Sequence, residues 1–312
     1  MEIRFAGIHH VTAIAGDPQA NVDFYSGLLG LRLVKKTVNF DDPTTYHLYY
    51  GDATGKPGTI MTFFTWPGAV SGRVGAGQVS ATRFAVREES LGFWTERLVG
   101  HGVRFGQPER RFDETVLSFS DDDGSPIEIA ARPGLSGPGE PWPQSTVPPE
   151  HAPRLISGVT LSERSREVTA DLLTGFLGFK KVGEEGGRTR YAAGESFADV
   201  VEAPAPGAEA VGTVHHVAWR APDEETQKAW RDEIEARGFN VTPVLDRKYF
   251  RSIYFREPGG VLFEIATDAP GFPVDEPAEE LGETLQLPPW LEDRRADIEA
   301  SLPPIRSPRK GG

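Results

Sequence analysis

Four times along the chain the same order of elements returns, a strand, a helix and then three strands. The recurrence is of pattern, not of identity, and it dictates an α+β architecture assembled from βαβββ units. In the first unit residues 8–14 read as a strand, and Asp17-Pro18 opens a helix whose apolar stripe is Val22, Phe24, Tyr25, Leu28 and Leu29. Gly30 closes that helix. Strands over residues 31–38, 45–50 and 59–64 follow, separated by Asp41-Asp-Pro43 and Gly55-Lys-Pro-Gly58. The second unit covers residues 79–131, with a helix over 90–99 and a last strand ending in Ile127-Glu-Ile129. The third begins near Leu155 with a helix over 165–177. The fourth starts at Thr213, takes a helix over 223–237 closed by Gly238, and finishes in a hairpin over 251–266 that turns at Pro258, Gly259 and Gly260. Residues 133–153 are rich in Pro and Gly and predict a linker between an N-terminal half, 1–132, and a C-terminal half, 154–312. A short amphipathic helix is expected over 290–302 and a frayed tail over 303–312.

The chain has no cysteine, so disulfides, thiolate zinc sites, iron–sulfur clusters and cysteine nucleophiles are all excluded. Any metal must be held by histidine and carboxylate. The seven histidines narrow the search, because four of them form two pairs, Ile8-His-His-Val11 and Val214-His-His-Val217, and only His47, His101 and His151 remain. A balance of 33 Lys plus Arg against 46 Asp plus Glu gives a net charge of -13, which disfavours nucleic acid and anionic membrane surfaces as partners. No apolar run reaches the roughly 20 residues that span a bilayer. Met1 to Phe5 lacks a basic region followed by an apolar one, so the cytoplasm is the expected location.

On the last strand of the fourth unit Val261, Leu262, Phe263, Ile265 and Ala266 are apolar, which makes Glu264 a carboxylate in a buried run that needs a partner. Two His and one carboxylate compose the facial triad of non-haem iron sites. Alternation along a strand selects within each pair. His215 shares a face with Val217 and Trp219, which suits a covering helix, whereas His216 shares with Ala218 and Arg220; His9 lies with Val11 and Ala13, and His10 with Thr12. The expected ligands are therefore His10, His216 and Glu264. A histidine in a strand is ordinarily a hydrogen-bonded core residue, and it is the recurrence of the pair in two units that favours the metal. Glu128 competes with Glu264, since it also stands four residues after a glycine between apolar neighbours.

These features resemble the vicinal oxygen chelate superfamily, which includes glyoxalases, bleomycin-resistance proteins and extradiol dioxygenases. Gly7-Ile-His-His-Val-Thr12, Asp41-Asp-Pro-Thr-Thr-Tyr-His-Leu-Tyr-Tyr50 and Tyr249 through Glu264 are similar to the ring-cleaving hydroquinone dioxygenases, the dichlorohydroquinone enzymes among them, over nearly the whole chain. The resemblance implies two half-barrel domains. Because the two histidines come from units one and four, those units are expected to be spatial partners, leaving two and three to pair with each other. Pairing of unit one with unit two would instead favour a site of His10 and Glu128.

By the same resemblance Tyr254, Arg247 and His215 would be catalytic, and Thr12 and His9 would bind substrate. Read without it, Arg247 is as well a surface charge, Tyr254 a core aromatic, and His9 and His215 buried structural donors. The implied activity is Fe(II)-dependent cleavage of a hydroquinone by O₂ beside one hydroxyl, with Mn(II) as an alternative metal. The partners are then a small aromatic diol and O₂, and a homo-oligomer is compatible with the chain. Catechol-type extradiol cleavage shares the triad. A glyoxalase-like isomerase would add a protein ligand at Thr62, a poor donor, and a metal-free antibiotic-binding protein would not keep all three ligands.

Overall fold

The structure, a computed structural model, describes residues 5–135 and 139–306. Residues 1–4, three residues of the predicted linker and the tail beyond Arg306 lie outside the described residues. All four units are present. Unit one consists of β1 (Ile8–Ala15), α1 (Pro18–Val22), β2 (Arg32–Val38), β3 (Tyr46–Gly51) and β4 (Ile60–Thr65). Unit two consists of β5 (Gln78–Arg87), α2 (Leu91–Gly100), β6 (Glu109–Arg111), β7 (Glu114–Ser120) and β8 (Pro126–Arg132). Unit three has β9 (Leu155–Glu163), α3 (Arg166–Gly175), β10 (Lys180–Glu185), β11 (Arg188–Ala193) and β12 (Ser196–Glu202). Unit four has β13 (Val214–Ala221), α4 (Glu224–Ala236), β14 (Leu245–Asp246), β15 (Phe250–Arg256) and β16 (Leu262–Pro270). A 3₁₀ turn over Pro289–Arg294 leads into α5 (Arg295–Ser301), where one continuous helix was expected.

The first helix begins where the cap residue dictates, with the Asp17 side chain accepting from Ala20 N at 2.8 Å and Pro18 at the first helical position. Its winding then changes. Residues Asp23–Leu28 continue α1 as a π-helical turn, which an apolar stripe of helical period does not foretell, before Gly30 closes it at φ +71°. The predicted linker packs against that end, with Ser145 Oγ donating to Gly30 O at 2.7 Å, and Arg97 of the second unit's helix donates from Nε to Leu28 O at 2.7 Å.

Strand order carries the main architectural result. One eight-stranded sheet runs β14-β15-β16-β13-β1-β4-β3-β2 and joins units one and four; the other runs β10-β11-β12-β9-β5-β8-β7-β6 and joins units three and two. Both curl into half-barrels, and the expected pairing of the outer units and of the inner units is the one observed. At the centre of the first sheet β1 and β13 are antiparallel, while β4 runs parallel to β1 and β16 parallel to β13. Val11, Ala13, Val217 and Trp219 are fully buried on the core side. The opposite side is left to line a cavity.

The β1–β13 ladder is interrupted twice. Ile8 pairs with Trp219 but His10 with Ala218, so His9 is an extra residue on β1; Thr12 pairs with His216 but Ala13 with Val214, so His215 is an extra residue on β13. Each His-His pair therefore sits on a β-bulge, a device that re-aims a side chain out of strict alternation.

Candidate metal centre

Three neighbouring strands bring His10, His216 and Glu264 to one point. His10 on β1 pairs with Ala218 on β13, and Ala218 pairs with Glu264 on β16. The Nε2 atoms of the two histidines are 3.3 Å apart; Glu264 Oε2 lies 3.3 Å from His10 Nε2 and 2.8 Å from His216 Nε2. All three side chains are buried. Three donors each about 2.1 Å from one ion would be about 3.0 Å apart at right angles and about 3.4 Å apart at the tetrahedral angle. The observed spacings fit the face of a coordination polyhedron.

The surroundings support that fit. Glu264 Oε1 accepts from Ser252 Oγ at 2.5 Å, while Glu264 Oε2 receives no hydrogen bond although it is buried. Burial would raise the carboxyl pKa, but His10 and His216 beside it hold it well below the ordinary value. Burial outweighs the pull of Glu264 at His216 and lowers its pKa to about 4, which keeps the imidazole neutral and able to donate a lone pair. His10 Nδ1 lies 2.9 Å from His9 Nδ1, and His216 Nδ1 lies 2.6 Å from His215 Nδ1. Within each bulge one ring nitrogen must donate to the other.

A cavity of about 320 Å³ opens from this cluster. Thr12, His215, Arg247 and Tyr254 all line it, together with His47, Tyr49 and aromatic walls from Phe64, Trp66 and Phe250. His9 does not. It is 1 % exposed behind His10, edge-on to Phe250 with ring centroids 5.0 Å apart. His215, turned by its bulge, is half-buried at the cavity wall, edge-on to Phe64. Tyr254 is the register partner of Glu264 and meets the His216 ring edge-on at 5.6 Å. Burial first, and Glu264 second, push its phenol well above the ordinary value despite Arg247, whose Nε is 3.3 Å from the Tyr254 oxygen. Arg247 is the one cation among the described residues that line the cavity, and Asp41 at the mouth lies 3.7 Å from its Nη1.

The competing carboxylate, Glu128, belongs to the other sheet and already has partners. Arg83 Nε is 3.0 Å from its Oε2 and Arg111 Nη1 2.5 Å from its Oε1. By register Arg83, beside Glu128 on β8, corresponds to Ala218 beside Glu264 on β16. Its guanidinium also reaches Asp199 at 2.8 Å and Glu114 at 3.4 Å, so the second half-barrel neutralises its interior carboxylates with arginine.

A family model described as the glyoxalase/bleomycin resistance protein/dioxygenase superfamily matches residues 7–129 and 159–265. The chain belongs to that superfamily. Among its relatives, MhqO of Bacillus subtilis (strain 168), named a ring-cleaving dioxygenase, is 48% identical over 303 residues, covering 96% of each chain. The chlorohydroquinone/hydroquinone 1,2-dioxygenase of Sphingobium indicum is 37% identical over 309 residues, covering 95% of each. A crystal structure from B. subtilis, titled as a dioxygenase, superposes with a TM-score of 0.94 at 46% identity, covering 98% of this chain and 99% of the other. Among superfamily folds, then, this chain groups with proteins named as dioxygenases. No helix among the described residues is long and apolar enough to cross a membrane.

His47 and Tyr49 were not singled out as site residues from the sequence. Alternation along β3 carried the signal: Tyr46, Leu48 and Tyr50 are buried on one side, and the two polar residues between them turn to the other.

Proposed function

We propose that the protein is a ring-cleaving dioxygenase that opens a hydroquinone or substituted hydroquinone beside one hydroxyl, using a divalent metal, Fe(II) or Mn(II), held by His10, His216 and Glu264. The observation that carries the reading is the convergence of those three side chains, with one buried carboxylate oxygen lacking any hydrogen bond, at the base of a cavity walled by aromatic rings. The relatives named as ring-cleaving and hydroquinone dioxygenases support the same reaction class.

When bound, such a metal supplies Lewis acidity toward a phenolic oxygen and open positions at which substrate and O₂ meet. The rest is the work of side chains. With Nε2 of His10 and His216 directed to the ion, their Nδ1–H groups donate to Nδ1 of His9 and His215, which fixes tautomer and ring orientation. His9 thus acts through His10 as a positioning residue. Ser252 holds Glu264 by one oxygen and so presents the other. Phe64, Trp66 and Phe250 offer apolar walls that accept an aromatic ring face or edge. Arg247 places a fixed positive charge where anionic oxygen develops. Tyr254, kept protonated by its surroundings, is a hydrogen-bond and proton donor beside the same point.

The test is oxygen uptake by anaerobically purified protein reconstituted with Fe(II), given hydroquinone, methylhydroquinone, chlorohydroquinone and catechol in parallel, with metal content measured on the same sample. Uptake with the para-diols establishes the reading. A preference for catechol would move the protein to ordinary extradiol cleavage, and the absence of stoichiometric metal would overturn the metal centre itself.

A further inference from the structure

Strand β3 sets two polar side chains on the cavity wall that the reading above leaves without a task. Tyr49 Oη lies 2.9 Å from His47 Nδ1, His47 Nε2 lies 2.7 Å from Thr62 Oγ1, and Thr62 Oγ1 lies 3.2 Å from Thr12 Oγ1. Register produces the chain: Tyr49 pairs with Thr62 across β3 and β4, and Thr62 with Thr12 across β4 and β1. Four side chains from three adjacent strands form one unbroken line. Thr62 is fully buried in the middle; both ends, Thr12 and Tyr49, are 1 % and 2 % exposed and line the same cavity, so a proton leaving at Tyr49 passes to water within it. Thr12 is on the same face of β1 as His10, two residues away.

Each member can give one proton while taking another. The three hydroxyls do so by rotation, and a neutral imidazole does so by exchanging tautomers. Burial, reinforced by His10 and His216, favours the neutral form of His47. A hydroquinone that binds a metal through one oxygen must lose the proton on that oxygen, and the groups already assigned serve the removal poorly. Arg247 has no lone pair to accept it, and Tyr254 holds its own proton.

We propose that Thr12, Thr62, His47 and Tyr49 form a proton wire, with His47 as its exchange point, that carries the proton of the binding hydroquinone hydroxyl away from the metal side and releases it to water in the cavity at the Tyr49 end. The inference rests on the hydroquinone reading. In the ordering that accepts at Thr12, Thr12 donates to Thr62, Thr62 to His47 Nε2, His47 Nδ1–H to Tyr49, and Tyr49 to water. The substrate O–H bond breaks as a new O–H bond forms at Thr12; the Thr12 proton passes to Thr62, the Thr62 proton to His47 Nε2, the Nδ1 proton to Tyr49, and the Tyr49 proton to water. One proton leaves the substrate and one reaches solvent. All four side chains end neutral, the imidazole has changed tautomer, and nothing is oxidised or reduced. Passage in the reverse direction, from water to the ring-opened product, restores the starting order.

His47→Gln keeps a polar side chain between Thr62 and Tyr49 but cannot exchange tautomers, and Tyr49→Phe removes the far end of the line while keeping the ring. Metal-loaded wild type and both variants are mixed with hydroquinone in the absence of oxygen, and formation of the bound hydroquinone anion is followed by stopped-flow absorbance between about pH 6 and 9. Metal content is measured on the same samples. Both variants are expected to keep their metal and the final amplitude, and to form the anion slower by about tenfold or more near neutrality. The gap closes as pH rises toward the phenolic range of about 10, where the substrate ionises unaided. Wild-type rates at full metal content in both variants overturn the wire. Loss of metal or of amplitude does so too, since it makes the line a structural support. A wild-type protein that holds metal and forms no bound anion with any para-diol overturns the hydroquinone reading, and the wire with it.

Discussion

Ser252 Oγ lies 2.5 Å from Glu264 Oε1, across the β15–β16 hairpin, and leaves Oε2 as the oxygen that faces the two histidines. A ligand oriented by a neighbour loses affinity when that neighbour is removed, typically about 10- to 100-fold. Ser252→Ala is therefore expected to weaken metal binding by that factor in a competition titration with a chelator, with the fold intact by circular dichroism. Glu264→Ala and His216→Ala are expected to retain no metal after gel filtration. A Ser252→Ala protein with wild-type affinity would mean that the strand pairing alone sets the carboxylate.

Tyr254 offers a separable prediction, because burial and Glu264 keep its phenol protonated through the neutral range. Tyr254→Phe is expected to retain metal and to bind hydroquinone anaerobically with little change. Its kcat should fall by about 10²- to 10⁴-fold, the usual contribution of a positioned proton donor. An unchanged kcat would remove Tyr254 from the chemistry.

The second half-barrel predicts stability without activity. Arg83, 1 % exposed, satisfies Glu114, Glu128 and Asp199 together. Arg83→Met withdraws the central cation of this network and leaves Glu128 to Arg111, Asp199 to Arg188 and Arg190, and Glu114 to Arg132 and Arg190, so its cost is expected to stay below the about 3–5 kcal/mol of breaking a buried pair from one side. Urea denaturation measures the loss. The molecules that remain folded are expected to hold metal as the wild type does, since the triad lies in the other sheet.

A buried pair of acids predicts the pH dependence. Glu163, at the end of β9, stands beside Glu257, which accepts from Thr169 Oγ1 at 2.8 Å and Val261 N at 2.9 Å; neither oxygen of Glu163 has a donor among the described residues. Burial, then the charge of Glu257, raises the Glu163 pKa from 4.5 to about 8. The folded chain thus keeps a proton that the unfolded chain releases above the ordinary carboxylate value. Its contribution to stability is full below about pH 4.5 and is lost progressively as pH rises to about 8. Glu163→Gln, which carries its hydrogens at every pH, is expected to flatten the fall of Tm over that window and to raise Tm at its upper end. An identical slope in the variant would assign the pH dependence elsewhere.

The repeat, the helices and the pairing of units were legible because each rests on a signal spread over many residues. Apolar period, capping by Asp17 and Asp223 and closure by Gly30 and Gly238 all point to the elements observed. His10 and His216 followed from alternation. Alternation then placed His215 with the core residues Val217 and Trp219, whereas a bulge turns it to the cavity wall. A bulge depends on how two distant strands settle against each other, and neither strand announces it alone. His47 was overlooked for a related reason. Its strand lies two places from β1, so its approach to Thr12 through Thr62 is set by sheet order, not by anything local to residues 46–51.

The nesting of the units bears on how the protein is made. His10 and His216 are 206 residues apart, and the segment between them contains a complete half-barrel of its own, β5 to β12. On the ribosome that inner segment can close as soon as it emerges, while β1 must wait for β13. Full burial of β1 and assembly of the proposed metal site thus both wait on this long-range pairing. Until then β1 has its β13-facing edge unpaired, the exposure that a strand edge in a partly made chain carries.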